Sequence, residues 1–250
     1  MRRGSHAKGR LAQNQSRRIR QFSGNPAVFK IMIRACLLRQ TPRYFPKNLT
    51  LGMSIPTEIR TARLLLRPWR ADDSPRLQPV LQASWGHLSP WIPARVAEPA
   101  ELTVLAERLT RFAADFDADR EWRFGLFALD ADAVLGEVSL FPRSATRRVP
   151  LADADRVEIG YWLRADWTGR GLVTEAARAV LDVVSDMPRF SQVEIRCDAR
   201  NAASAAIPRR LGFELATTVV DSAVRAVDPP VDLQVWTLQL SHFGRTTGVS

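Results

Sequence analysis

Apolar and polar side chains alternate along Arg156-Val-Glu-Ile-Gly-Tyr-Trp-Leu163, which predicts a half-buried strand. Val157, Ile159, Tyr161 and Leu163 share one face of it, and Glu158, Gly160 and Trp162 share the other. From Leu172 the period lengthens to that of a helix, which should run to about residue 186. A second alternating run, Gln192–Asp198, is followed by helical spacing over 201–211. Upstream, residues 64–69 read as a strand, and Asp72 is placed to cap a helix running through about Ser84. Leu102, Leu105, Leu109 and Phe112 fall at helical spacing within residues 99–118. Residues 123–129 and 134–141 predict a hairpin across Asp130 to Ala133. Residues 213–220 and 233–240 predict a closing pair of strands around a loop that holds Pro229 and Pro230. No internal repeat is visible. The order predicts an α/β (α+β) domain with one mixed, mostly antiparallel sheet and helices on both faces.

Charge divides this chain at one place. Its 250 residues carry 36 Lys or Arg and 26 Asp or Glu, a formal charge of +10. Residues 1–52 hold twelve of the basic residues, all three lysines and no acid, whereas 53–250 hold 24 arginines and all 26 acids. The high isoelectric point therefore belongs to the N-terminal segment. Such a segment suits a nucleic-acid arm, a membrane-surface patch or a transit peptide. The break in lysine usage at Met53 favours a plainer reading, upstream sequence read from an early start codon. On that reading residues 1–52 are dispensable, nucleic acid is not a partner, and 53–250 form one domain with a sizeable core. No apolar run approaches the roughly 20 residues that span a bilayer, and the run from Ile31 to Leu38 is broken by Arg34. Cys36 lies in the basic segment and Cys197 in a predicted core strand, which argues against a disulfide framework. His6, His87 and His242 are scattered, without metal-ligand spacing. The expectation is a soluble, cytoplasmic, metal-free domain.

Between the strand ending at Leu163 and the helix from Leu172 lies Trp167-Thr-Gly-Arg-Gly-Leu-Val-Thr-Glu-Ala176. Gly169 and Gly171 tolerate positive φ and let the backbone come close to a ligand. The helix start points its unpaired N–H groups at the same place, so an anion, naturally a diphosphate, suits it. Only two glycines are present where a Rossmann turn needs three, and no lysine follows Lys47, which excludes a P-loop. The segment resembles the coenzyme A pyrophosphate loop of the GNAT acyltransferases, Gln/Arg-x-x-Gly-x-Gly/Ala, and reads Thr168-Gly-Arg-Gly-Leu-Val173 here. It departs at the first and last positions, and Val173 stands where that family usually has a small residue. Ala199-Arg-Asn-Ala-Ala-Ser-Ala-Ala-Ile-Pro-Arg-Arg-Leu-Gly-Phe213 resembles the last cofactor-contacting helix of the same family. Its Ile-Pro before two arginines resembles the RimJ/RimL branch, which acetylates protein N-termini. The resemblance spans roughly residues 57–240.

That resemblance implies the GNAT fold and acetyl-CoA as co-substrate. It implies cofactor contacts from Tyr161, Trp162, Gly169, Arg170, Gly171, Leu172, Val173, Thr174 and Asn201. It also implies that the strand holding Gly160 splays from its neighbour, that its backbone pairs with the pantetheine arm, and that an N–H there polarises the thioester carbonyl. Acetyl transfer needs a neutral amine and hence a base. Glu158 aligns with a glutamate that serves so in several branches; the alternative is a cross-strand partner for an arginine. A thiolate leaving group, with a pKa of about 8.5, needs little help from an acid. Many members place a tyrosine on the last cofactor helix for that purpose. Tyr44 and Tyr161 are the only tyrosines here and neither is on it, which leaves Ser204 as the partner of the sulfur or as a plain helix residue beside Asn201.

By the same resemblance Trp85 and Trp91, within Ser84-Trp-Gly-His-Leu-Ser-Pro-Trp-Ile-Pro93, line the acceptor side; core packing is the alternative. Arg143, Arg147 and Arg148 suit an acidic acceptor, the 3′-phosphate of CoA, or a solvated loop. The implied activity is N-acetylation by direct attack in a ternary complex, in a monomer or homodimer. The leading acceptor is a protein α-amine, such as that of a ribosomal protein. A small-molecule amine, antibiotic or polyamine, comes second, and a non-catalytic acyl-CoA-binding module third.

Overall fold

The computed structural model describes residues 54–129, 133–221 and 231–240. The basic segment 1–52, with His6, Cys36 and Tyr44, lies outside the described residues, as do the hairpin tip at 130–132, Pro229-Pro230 and His242. The chain runs β1 (Ile59–Arg60), β2 (Leu64–Pro68), α1 (Ser74–Leu88), α2 (Ala94–Ala97), α3 (Leu102–Asp117), β3 (Trp122–Ala128) and β4 (Val134–Arg143). It continues through β5 (Arg156–Leu163), α4 (Leu172–Ser185), β6 (Gln192–Asp198), α5 (Ala202–Leu211), β7 (Glu214–Asp221) and β8 (Val231–Gln239). Among the described residues the strands form one sheet in the order β1-β2-β3-β4-β5-β6-β8-β7. Only β5 and β6 pair in parallel; the other neighbours are antiparallel.

Both faces of the sheet are covered, which is why β3 and β4 are buried along their whole length. On one face the apolar stripe of α4, with Ala176, Val180 and Val184, packs with Val157, Ile159, Val193 and Ile195 in one core. The alternate side chains of the strands, Phe127 and Trp162 among them, pack on the other face with Leu77 and Leu81 of α1 and Leu105 and Leu109 of α3. Leu102, by contrast, is exposed, because the buried stripe of α3 begins one turn later.

Two details depart from the sequence reading. Asp72 is exposed, and the buried acid at the start of α1 is Asp73. Asp73 accepts from both terminal nitrogens of Arg67, from the Arg70 N–H at 3.0 Å and from Arg76 at 2.7 Å. Burial pushes the Asp73 carboxyl up, and its arginine and backbone donors outweigh burial, leaving it below the ordinary value. Asp73 holds the N-cap position, but its side chain caps no N–H of α1 and is taken up by Arg67, Arg70 and Arg76 instead. Helix α1 also continues to Leu88, past Ser84 and in spite of Pro79. The short β1 and α2 escaped prediction because two and four residues carry no readable period.

Candidate active site

Gly169 and Gly171 stand at φ 75° and 76°, a region that costs a residue with a Cβ about 1–2 kcal/mol. A Cβ on Gly169 would meet nothing within 4 Å, so the backbone conformation and not crowding demands glycine, and the turn is open on that side. Gly171 is the N-cap of α4 and has no side chain to cap it, so the first N–H groups of the helix are left for another acceptor. Leu172 is buried in the core and Val173 packs against the same core, so neither side chain crowds the turn. The Val173 side chain thus points toward the core and leaves its backbone for the turn.

The turn is held from behind by residues the sequence reading missed. Arg63 donates to the Arg170 carbonyl at 2.9 Å and to Glu175 at 2.7 Å, and Thr61 donates to Glu175 at 2.6 Å. Burial raises the Glu175 carboxyl, and the hydrogen bonds from Thr61 and Arg63 outweigh it, so the group lies below the ordinary value. A glutamate in the first turn of a helix was the only signal for this latch. The Arg170 guanidinium folds back over Trp167, 4.5 Å from the ring centroid, and donates to the Asp166 carbonyl.

The sheet opens beside this turn. β5 pairs with β6 only over Arg156–Ile159 and Gln192–Ile195. Beyond that point β6 pairs with β8 alone and β5 with β4 alone. Among the described residues Gly160, Tyr161 and Trp162 therefore keep one backbone edge without a ladder partner. Ser204, in the first turn of α5, reaches across this gap: its hydroxyl donates to the Tyr161 hydroxyl at 3.2 Å, and the phenol donates to the Ser204 carbonyl at 3.1 Å. Asn201 caps α5, its side-chain oxygen accepting from the Ser204 N–H at 3.0 Å. Burial pushes both the Tyr161 phenol and the Cys197 thiol up, so both keep their protons at neutral pH. The register of β4 against β5 is unbroken at Gly160, so no bulge explains that glycine. A Cβ there would sit 3.1 Å from the Phe141 ring, and glycine makes room for it.

On the α1–α3 side of the sheet a cavity of about 110 Å³ is lined by, among others, Ile92, Arg95, Arg123, Glu137, Arg148 and Trp162. Trp85 and Trp91 do not line it. Trp85 packs against the core between α1 and α3, because α1 extends past it, and Ile92 with Pro93 supplies the wall instead. The side chain of Trp162 also lies on this face, and its indole N–H is buried without a partner among the described residues, which costs about 1–3 kcal/mol if no ligand or water relieves it.

Glu158 is buried between two guanidinium groups, accepting from Arg143 and, at 2.6 Å, from Arg148. Burial pushes its carboxyl up, but Arg148, then Arg143 and Arg196, pull harder, and it lies below the ordinary value. The arginine-partner arrangement is the one observed, and a carboxylate held this way is a weak base. Glu137 is no freer: it accepts from Trp69, Arg123 and Ser139, each at 2.8 Å. Among the described residues no group of three His, Cys, Asp or Glu side chains could hold a metal ion, and no helix is long and apolar enough to cross a membrane.

Residues 63–214 match the family model described as the acetyltransferase (GNAT) domain. The probable N-acetyltransferase YjcK of Bacillus subtilis (strain 168) is 29% identical over 107 residues, which are 43% of this chain and 56% of that protein. The match thus spans only about half of that relative's length. The crystal structure of the microcin C7 self-immunity acetyltransferase MccE, in complex with acetyl-CoA and AMP, aligns with a TM-score of 0.63 at 17% identity, covering 75% of this chain and 98% of that one. RimL, a ribosomal L7/L12 α-N-protein acetyltransferase in complex with coenzyme A, aligns with a TM-score of 0.61 at 16% identity, covering 74% and 97%. At these identities the likeness to the solved structures is one of fold.

Proposed function

The chain belongs to the acetyltransferase (GNAT) family, and from that premise we propose that it transfers the acetyl group of acetyl-CoA to the α-amine of a protein or peptide. Acetyl-CoA supplies the acetyl group as a thioester. The backbone N–H groups of Gly169, Arg170, Gly171, Leu172, Val173 and Thr174 are the donors for its diphosphate; open positive-φ glycines and an uncapped helix start fit that anion. The free edge of Gly160, Tyr161 and Trp162 suits the amide-bearing arm, and Asn201 and Ser204 close the other side of the gap. Ser204 and Tyr161 form a hydroxyl pair placed to hydrogen-bond the departing thiolate, which needs no proton from it to leave. The acceptor's nitrogen attacks the thioester carbonyl directly from the cavity side, and the compartment is the cytoplasm.

The observation that carries the choice of acceptor is the state of the two carboxylates. Glu158 and Glu137 are both occupied by arginines, so the cavity has no strong base ready to deprotonate an alkylammonium. An α-amine, with a pKa of about 7.7–8.0, is roughly one-tenth neutral at pH 7 without help. An alkyl amine near 10.4 has about 300-fold less of its neutral form. The neutral α-amine enters as it is, and the proton released on transfer leaves through water. Ribosomal-protein N-termini are the acceptors this reading favours, in keeping with the activity named for RimL.

A panel comparing N-terminally free peptides with polyamines and aminoglycosides tests it. At pH 7 the peptides should exceed the polyamines in kcat/KM by about two orders of magnitude, and turnover should rise as pH passes 8. Faster acetylation of the polyamines or aminoglycosides would make a small amine the acceptor. Residues 53–250 are taken as the catalytic unit, so a chain beginning at Met53 should give the same profile; loss of turnover in it would assign residues 1–52 a part in activity.

A further inference from the structure

We infer that the acceptor cavity selects an amine carrying a negative charge nearby, a carboxylate in the first two or three residues of the peptide, through Arg95 and Arg148. The inference rests on the acceptor reading above and narrows it. Arg95 lines the cavity from α2, is exposed, and has no ion-pair partner among the described residues. Arg148 lines it from the loop after β4. Its guanidinium lies 3.5 Å from the centroid of Phe141, the ring for which Gly160 makes room. Stacking and the bond from Glu158 fix its orientation, yet its charge is only partly balanced, because Glu158 also serves Arg143. The side chain remains 42% exposed, so it has donors left for a ligand.

Glu194 cannot make up the difference, being shared among Arg143, Arg156 and Arg196. Arg123, the third guanidinium on the cavity, is different: Glu121 and Glu137 both neutralise it, and it helps to build the wall. One free arginine and one partly balanced arginine thus face a small cavity with a single carboxylate, Glu137, among its lining groups. A cationic acceptor would enter against that field, and a carboxylate would complete it with bidentate hydrogen bonds. The unpartnered indole N–H of Trp162, on the same lining, is a further donor beside the cavity.

The test compares peptides that differ only at their second residue: Asp, Asn or Lys. Their binding to the full chain loaded with CoA is measured by calorimetry, and their acetylation separately. The Asp peptide should bind at least about tenfold more tightly than the Lys peptide, the difference shrinking as salt rises. Arg95→Glu should abolish or invert that order while leaving CoA affinity unchanged. Equal binding of the Asp and Lys peptides, no binding of any, or a preference that survives both Arg95→Glu and Arg148→Ala would overturn the inference. Acidic preference in binding without any transfer would leave the inference standing and remove the α-amine reading instead.

Discussion

Glu158 shows how burial and partners change what a residue can do. Sequence alone offers it as a base or as an arginine's partner, and its environment holds the charge so firmly that taking up a proton is disfavoured. On the proposed reading its effect on chemistry runs through Arg148, as a positioning residue. Glu158→Gln should therefore raise the acceptor KM by about tenfold and leave the pH dependence of kcat unchanged. A base would behave otherwise, with kcat falling about 10²–10⁴-fold and its acid limb lost. The same substitution leaves Arg143 buried with less compensation, and urea unfolding should show a loss of about 3–5 kcal/mol. The sign of the linkage is fixed by the depressed carboxyl. Its stabilising contribution is present above the unfolded pKa and lost as pH falls through the folded one, so wild type and variant should converge in stability in acid. Which arginines hold it was not legible in the sequence, because that depends on Arg148 returning beside β4 at Arg143 and bringing its guanidinium onto β5.

At the scale of elements, the turn before α4 was the most legible part of the molecule. Positive φ is a demand on residue type, so Gly169 and Gly171 announce it, and the helix that follows announces its own period. The gap between β5 and β6 was implied by resemblance and is now seen as a ladder that stops after Ile159 and Ile195. The latch of Arg63 and Thr61 on Glu175 was not legible, since it joins residues more than a hundred apart in sequence. Because the Arg170 guanidinium is engaged over Trp167 and the diphosphate is proposed to rest on the amides of the turn, Gly171→Val should weaken acetyl-CoA binding by more than about tenfold. Arg170→Ala should change it by less than about threefold. Titration calorimetry on both folded variants reads the comparison, and the reverse order would assign the binding to the guanidinium.

At the scale of the whole molecule, one sheet separates two working faces. The face covered by α4 and α5 carries the glycine turn and the Tyr161–Ser204 pair; the face covered by α1 and α3 carries the arginine-lined cavity. β5 is shared by both, and its alternation sends Tyr161 to one side and Glu158 and Trp162 to the other. That division was readable from the period of β5 alone. What fills each side was not, since Trp85 and Trp91 yielded the cavity wall to Ile92 and Pro93 once α1 ran on to Leu88. The central claim is that the open glycine turn holds the diphosphate of acetyl-CoA. Thermal unfolding in the presence of CoA or of pantetheine, which lacks the phosphates, tests it most directly. Binding to the folded state at a hundredfold excess over Kd adds about 2.7 kcal/mol, which for a domain of this size raises Tm by roughly 5–10 °C. CoA should produce that shift and pantetheine at the same concentration well under half of it. Equal shifts from the two ligands, or none from either, would contradict the assignment.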